Sequence, residues 1–336
     1  MQTVQWNGIP GTANLEIREI EIPVPSTNQV LLRMKAWSLN YRDLLVVEGA
    51  YGKNLPNPLT ILSDGVGEII DAGPGVSSKL VGKRVAVNFF PDWADGPCDA
   101  LKARNSLGGS CQGMLAEYIC ANADSLIEIP DYLSDEEAAT LPCAALTAWN
   151  ALFETGRLLP GNSVLTMGCG GVSLFALQFA NLHQMKSFAV SRSAENIIRL
   201  NQLGLDHGIC TNENPGWGDL VRKASGAGVD LSLELIGASA LSETMKATRT
   251  GGEISLIGVL GGNQETFNPL PMIMKSLRMS GIFVGSKAMF QRMLKAMENA
   301  KLKPVIHKTF HWKEVPQALE YMKKGNHFGK ICLRKD

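Results

Sequence analysis

Two stretches of this chain carry residues whose types and spacing could do chemistry. The first is Gly168-Cys169-Gly170-Gly171-Val172-Ser173, which follows the apolar run Val164-Leu165-Thr166-Met167. It opens a helical pattern through Val172, Leu174, Phe175, Leu177, Phe179 and Ala180. A strand, a glycine turn and a helix in that order can hold the pyrophosphate of a dinucleotide. Glycines let backbone N–H groups approach the phosphates, and the positive end of the helix faces them. A strict GxGxxG or GxGxxA pattern would place Gly or Ala at 173, where this chain has Ser173. The second stretch is Ser191-Arg192-Ser193, at the end of the next strand and about 20 residues beyond the glycines, where an acidic residue would hold the ribose hydroxyls of NAD. No carboxylate stands there. Two hydroxyls and a guanidinium suit a 2′-phosphate, which an Asp would repel and an Arg can bind in a bidentate pair. The expected cofactor is therefore NADP(H); the competing reading makes Arg192 a solvated loop residue. Gly258 and Val259 follow a later strand of the same region, at the carboxyl edge where such sheets bind ligands.

The elements that must position these residues follow from the texture of the chain. At 336 residues it is long enough for two domains. Residues 1–125 read as β-rich, with strands over Gln29–Lys35, Gly67–Ile70, Arg84–Asn88 and Ala116–Cys120 between Pro/Gly breaks. Ser134 and Glu137 form a capping box that opens a helix. Strands and helices then alternate: strands over 163–167, 187–191, 208–211, 231–235, 253–258 and 279–284, and helices over 173–183, 194–203 and 241–248. Such alternation predicts a doubly wound parallel sheet, hence an α/β fold. A helix over 288–300 and shorter fragments end the chain.

Composition excludes several function classes. Lys+Arg and Asp+Glu balance at 32 each, so no overall charge attracts nucleic acid or an acidic membrane surface. No apolar run approaches the length of about 18 residues that a membrane span needs, and the N-terminal residues do not read as a signal peptide. Seven cysteines without close pairs point to reduced thiols, and so to a cytoplasmic protein.

Taken together, the motifs resemble the medium-chain dehydrogenase/reductase superfamily, in particular its zinc-independent, quinone-oxidoreductase-like branch. The likeness spans nearly the whole chain. It is carried by Ser38–Leu45, Leu62–Glu68, Gly82–Val85, Gly113-x-x-Ala116-Glu117-Tyr118 and Leu141-Pro142-Cys143-x-x-Leu146-Thr147-Ala148. It continues through Gly168-x-Gly170-Gly171-Val172, Gly226-x-Gly228-Val229-Asp230, Gly251-Gly252 through Ile257-Gly258, and His327-Phe328-Gly329-Lys330. The resemblance implies a GroES-like β-barrel catalytic domain from 1–125 and 287–336, and a Rossmann NADP-binding domain from 126–286. It further implies an active site in the cleft between them and a homodimer formed through the last Rossmann strand. Gly168-x-Gly170-Gly171-Val172 is the branch's own form of the glycine turn, so Ser173 is no defect.

The resemblance also matches positions one by one. Zinc-dependent relatives bind their catalytic metal with a Cys, a His and a second Cys. Asn40 and Ser63 stand at the first two of these positions, and Asp64 replaces the neighbouring Glu. Only Cys143 matches a ligand, and it reads as a small buried hydrophobe. No metal is expected, since a catalytic zinc needs three protein ligands. The four-cysteine structural zinc lobe is replaced by residues 88–109, where Cys98 stands alone. Asn40, Asp43, Tyr51 and Ser63 line the cleft in this branch. Asn40 could donate to a carbonyl or quinone oxygen, and Tyr51 could donate a hydrogen bond or a proton. Asp43 is either catalytic or a tie for its loop, and Tyr41 and Arg42 stay equally open. Thr147 matches a threonine that touches the nicotinamide, and Phe283 and Val284 match backbone partners of its carboxamide. Lys330 reaches a phosphate or ribose, or is a solvated charge. Where Asn196 stands many branch members have a Lys, which leaves more of the phosphate recognition to Arg192. The aromatic stretch Asn88–Trp93 is either a wall of the acceptor pocket or a packed loop. The implied function is an NADPH-dependent, zinc-free reduction of a quinone, an enone or a related carbonyl. The alternatives are an alcohol dehydrogenase acting on a simple alcohol or aldehyde, and a non-catalytic, crystallin-like NADPH-binding protein.

Overall fold

The computed structural model describes residues 1–52, 54–258 and 268–335, and Val259 lies outside them. The chain divides into two compact units, Met1–Leu146 with Gly285–Asp336, and Thr147–Val284.

The first unit is built on strands β1 (Gln2–Trp6), β2 (Leu15–Glu19), β3 (Gln29–Ser38), β4 (Leu59–Thr60), β5 (Asp64–Ala72), β6 (Arg84–Val87), β7 (Tyr118–Asn122) and β8 (Leu126–Glu128). Helices α1 (Tyr41–Val47) and α2 (Asp135–Ala139) lie among these strands and after them. β3 is central: it pairs antiparallel with β5 and β7, and Val30, Leu32, Met34, Ala36 and Trp37 along it are buried. Val30, Leu32, Met34 and Ala36 alternate along the buried face, while Arg33 on the other face is exposed and pairs with Glu68. β1 joins β2 and β4 in a separate three-stranded sheet.

The second unit holds β9 (Ser163–Met167), β10 (Lys186–Ser191), β11 (His207–Cys210), β12 (Val229–Glu234), β13 (Thr248–Leu256) and β14 (Arg278–Gly281). Its helices are α3 (Leu146–Trp149), whose first residue belongs to the first unit, α4 (Gly171–Leu182), α5 (Ala194–Gln202), α6 (Trp217–Ala224), α7 (Leu241–Ala247) and α8 (Leu270–Met274). All pairings in this sheet are parallel, in the order β11-β10-β9-β12-β13-β14. This is the doubly wound order 3-2-1-4-5-6, whose switch point lies beside β9, the strand before the glycine turn. α6 was not anticipated, because it opens among turn-forming residues; the buried Trp217 anchors it to the core.

The chain then returns to the first unit through α9 (Lys287–Ala300), β15 (Ile306–His311), α10 (Val315–Lys323) and β16 (Lys330–Arg334). β16 pairs antiparallel with β3 and parallel with β15. Residues 126–146 differ from the sequence expectation. They pack in the first unit because β8 pairs with β6 and α2 lies against β3 and β5, contacts distant in sequence. The Ser134–Glu137 capping box forms as expected, with Glu137 N donating to Ser134 Oγ at 3.1 Å. Phe89, Phe90 and Trp93 are all buried, so the aromatic stretch at 88–93 is packed. Among the described residues, no helix is long and apolar enough to cross a membrane.

Candidate active site

In the first unit, the structure gathers Asn40, Asp43, Ser63 and Lys330, together with Asp64, Arg42 and Cys143. Asn40 caps α1, and its own backbone N–H donates to Asp43 Oδ2 at 2.8 Å. Its side chain is engaged elsewhere. Lys330 Nζ donates to Asn40 Oδ1 at 2.6 Å and to the carbonyl of Leu39. Asn40 Nδ2 donates to Ser63 Oγ at 3.3 Å, and Ser63 Oγ donates to Asp64 Oδ1 at 2.8 Å. The other oxygen of Asp64 accepts from the backbone N–H of Cys143 at 3.3 Å. Hydrogen bonds therefore run in one direction, from an ammonium to a carboxylate.

The cluster is desolvated. Lys330 is 5% exposed and Asp64 is 0% exposed, which excludes the solvated-charge reading of Lys330. Burial pushes the Asp64 carboxyl up to about 6, against the opposing pull of the Lys330 charge. Asp43 also lies above the ordinary carboxylate range because of burial, although Arg42 opposes the shift. The Cys143 thiol is held protonated by burial, far above its usual range. Cys143 itself keeps partial exposure, so it is not the fully buried hydrophobe that the sequence suggests.

Asp43 also accepts from Arg42 Nη1 at 3.1 Å, and that guanidinium group donates to the carbonyls of Leu107 and Gly108. Asp43 thus braces the start of α1 and, through Arg42, the loop at 107–108. Tyr51 lies with its ring 4.5 Å from the Arg42 carbon and packs against the unit's core. Leu62, just before Ser63, adopts φ +69, which is rare for a bulky residue. The carbonyl of Leu62 accepts from Met114 N at 2.9 Å, and Gly108 leaves no room for a Cβ against the Leu62 backbone. The loop at 107–114 therefore holds Ser63 in place.

In the second unit, Gly168 closes β9 with φ +74, and its N–H donates to Val190 O at 2.7 Å. Gly170 caps α4, and nothing lies within 4 Å of the Cβ positions of either Gly168 or Gly170. This open space beside a helix N-terminus fits a phosphate-bearing cofactor. Gly171 begins α4, and Val172 packs on the core beneath it. Ser173 Oγ donates to Met167 O at 2.6 Å, so the hydroxyl ties the turn together. Ser191 is buried at the end of β10, where its Oγ accepts from Ser193 N, and Arg192 is exposed. Asn196 N donates to Ser193 Oγ, which caps α5. Gly258 sits against Leu235, whose carbonyl an added Cβ would strike. Thr147 is buried. Val284 adopts φ +54, and its carbonyl accepts from Asn150 Nδ2 at 2.7 Å, while the side chain of Phe283 is exposed. A β-branched residue in that conformation is held by its surroundings.

Sequence reasoning gave no role to Asp64, Asn150 or Glu234. Glu234 is buried at the end of β12, where it accepts from Ile236 N, Gly237 N and Thr244 Oγ1. The available signal was polarity inside apolar runs, as with Glu234 in Leu231–Leu235.

Residues 26–131 match the alcohol dehydrogenase GroES-like domain family, and residues 171–299 match the zinc-binding dehydrogenase family. A zinc-type alcohol dehydrogenase-like protein of Schizosaccharomyces pombe is 36% identical, over 100% of this chain and 99% of the relative. The chain belongs to the medium-chain dehydrogenase/reductase superfamily. Two solved structures agree in fold. One, from Sinorhizobium meliloti 1021 and provisionally assigned as an alcohol dehydrogenase, has a TM-score of 0.92 and 36% identity, covering 99% of this chain and 98% of its own. The other, an NAD-dependent alcohol dehydrogenase, has a TM-score of 0.92 and 30% identity, with both chains covered in full. The protein is thus a GroES-like domain joined to a Rossmann domain, and an oxidoreductase of a superfamily that uses a nicotinamide cofactor.

Zinc is the group that the second family's name implies, and the donor set here does not suit it. Asn40 turns its NH₂ toward Ser63, Ser63 donates its proton to Asp64, and Cys143 is the one thiol at the matched positions, short of the three ligands a catalytic zinc needs. Among the described residues, no group of three or more His, Cys, Asp or Glu side chains is arranged to hold a metal ion.

Proposed function

We propose that this member of the superfamily is an NADPH-dependent oxidoreductase that works without zinc and reduces a quinone, an enone or a related carbonyl compound. The carrying observation is the Lys330–Asn40–Ser63–Asp64 chain, which engages two of the three positions matched to zinc ligands and the carboxylate beside them. Oxidising a simple alcohol requires stabilising an alkoxide, which in zinc enzymes is the metal's task. A conjugated acceptor takes the hydride at carbon, and its oxygen needs only hydrogen-bond donors and a proton. When bound, the nicotinamide supplies that hydride. The second amide hydrogen of Asn40 polarises the acceptor oxygen, Ser63 holds the Asn40 amide by accepting its other N–H, Asp43 positions Asn40 through its backbone N–H, and Tyr51 or water delivers the proton. The likeness to alcohol dehydrogenases, one of them NAD-dependent, favours the second reading, an alcohol dehydrogenase acting on a simple alcohol or aldehyde. A panel with NADPH decides between them: turnover of quinones and enones but not of simple aldehydes is expected. Turnover of aldehydes alone would remove the first reading, and no turnover of any acceptor would favour a cofactor-binding role.

The NADPH preference rests on Ser191-Arg192-Ser193. Arg192→Ala is expected to lower kcat/KM with NADPH by about 10–100-fold, the worth of a hydrogen-bonded charge, and to leave NADH unaffected. Equal losses with both cofactors would remove this role. Gly168, Gly170, Gly171 and Val172 face the pyrophosphate in this reading, Thr147, Phe283 and Val284 the nicotinamide, and Gly258 the carboxyl edge. Gly170 has φ −76 and free space beside it, so Gly170→Ala should fold, at a cost of about 1 kcal/mol for placing Ala at an N-cap. Its NADPH Kd should nevertheless rise, because the new methyl group occupies the phosphate's place; an unchanged Kd in titration calorimetry would move the pyrophosphate elsewhere. We also propose a homodimer formed through β14, which is an edge strand of its sheet. Sedimentation at micromolar concentration tests that assembly.

A further inference from the structure

The first unit holds a cavity that the chemistry proposed above does not use. Its volume is about 350 Å³, and its wall runs from β1 and β4 to β7 and the loop at 107–114. On β1, Val4 and Trp6 join the unit's core, so Thr3 and Gln5 face the other way, toward the cavity. Thr60 of β4, the cross-strand partner of Gln5, lines the same wall. Thr3 Oγ1 donates to Leu115 O at 3.2 Å and lies 3.2 Å from Thr60 Oγ1, so both hydroxyls are engaged. The Gln5 amide is not. Gln5 is 8% exposed, yet among the described residues none hydrogen-bonds its side chain. A buried amide without a partner costs stability, and a molecule that completes its hydrogen bonds explains its presence.

We infer that this cavity binds a small, uncharged, largely apolar molecule through one carbonyl or hydroxyl oxygen, which the Gln5 amide holds. Size sets the first limit. An apolar cavity of about 150 Å³ admits benzene, so this one has room for roughly ten to fourteen non-hydrogen atoms. Charge sets the second. Among the described residues that line it, none is Asp, Glu, Lys, Arg or His, and the exposed terminal ammonium of Met1 already donates to Ile20 O at 2.7 Å. An ion would therefore enter without a countercharge. Polarity sets the third. Leu107, Met114, Ile119 and Ala121 give apolar walls, and the single free amide offers an N–H to a carbonyl or its oxygen to a hydroxyl. Binding here does not depend on the hydride chemistry, but it reaches the candidate active site. Leu107 and Met114 line the cavity while their backbone groups hold Arg42 Nη1 and Leu62 O. An occupant thus touches the segment that braces Ser63.

The test uses the full-length protein with NADP⁺, which precludes turnover, and three probes: 1-indanone, its hydrocarbon indane, and indane-1-carboxylate. Titration calorimetry should show indanone binding with a Kd of about 1 mM or below, at least about threefold more tightly than indane. The carboxylate should not bind at about 5 mM. Gln5→Met keeps the length of the side chain and removes its polar atoms. It should weaken indanone by about threefold to tenfold, the worth of one hydrogen bond, and leave indane unchanged. Its unfolding temperature should be no lower than the parent's, because the amide it removes is unpaired. Ile119→Phe narrows the cavity from β7 and should weaken both neutral probes. No saturable binding of indanone by the parent, or equal affinities in the parent and both variants, would overturn the inference. So would a Gln5→Met protein that unfolds well below the parent, since its amide would then already have a partner. Asn40→Ala gives the last control. Indanone binding that Asn40→Ala abolishes and Gln5→Met spares would put the ketone in the candidate active site and overturn the inference as well.

Discussion

Lys330→Met is expected to lower the unfolding free energy by about 3–5 kcal/mol near pH 8, because it strands buried carboxylates without their cation. The loss should depend on pH in a definite direction. Asp64 has its folded value raised to about 6 from an ordinary 3.8, so the folded protein binds this proton more tightly than the unfolded chain. The stability it contributes is fully present below about pH 4 and is lost as the pH rises through about 6. The Lys330 charge opposes that rise, so removing it moves the window upward. Near pH 5 Asp64 is largely protonated in both proteins and the deficit should be small; above about pH 7 only the parent retains a countercharge for the ionised carboxyl. Asp43 and Arg42 share the cluster, and Asp43 adds to the same trend because its carboxyl is also raised by burial. Urea unfolding at the two pH values measures this. An equal loss at both would assign the lysine's contribution to packing of its stem instead of to charge.

Trp37→Ala should cost about 3–5 kcal/mol, the range for emptying a large aromatic site in a core. Trp37 is completely buried on β3 and stacks on Trp312 with ring centroids 5.7 Å apart. Its Nε1 donates to the carbonyl of Met114, so the substitution also leaves a buried acceptor unpaired. The effect should reach the site. Met114 N holds the carbonyl of Leu62, and Leu62 keeps its φ of +69 beside Ser63 only while that segment is fixed. Trp37→Phe separates the two contributions. It retains most of the ring packing and should lose about 1–2 kcal/mol for the missing N–H. Calorimetric unfolding gives the stability, and kcat gives the effect on the site. A Phe variant with parental stability and parental kcat would show that the Trp37 N–H does not support the loop.

Local signals carried most of the second unit, although not α6, which opens among turn-forming residues, or the short α8. β9 is a short apolar run closed by Gly168, α5 carries a cap at Ser193, and most successive elements are neighbours in space, so periodicity and punctuation largely specify the sheet. The glycine turn was legible for the same reason: Gly168 needs its positive φ within one turn of chain, and Ser173 closes that turn through a bond to Met167 only six residues away. The first unit depends on contacts between distant segments, and there local reading reached less far. Residues 126–146 look like the start of the alternating region, yet β8 and α2 are bound by β6, β3 and β5.

The same division runs through the candidate site. Once the resemblance matches them to a zinc site, the residue types at 40, 63 and 143 disfavour a metal there, because an amide and a hydroxyl beside one thiol fall short of three ligands. Lys330 was another matter. In the sequence it was a charge near the C-terminus with two equal readings, since nothing within ten residues says whether an ammonium is solvated or buried. Only the return of β16 to the edge of β3 brings that ammonium to an amide 290 positions away. Residue type and short spacing specify the glycine turn and the alternating α/β region, whereas the β-barrel and the match to the metal positions came from the resemblance to a family. The tertiary structure decided that a buried cation meets the matched ligand positions, because burial and pairing of charge depend on which distant strands lie side by side.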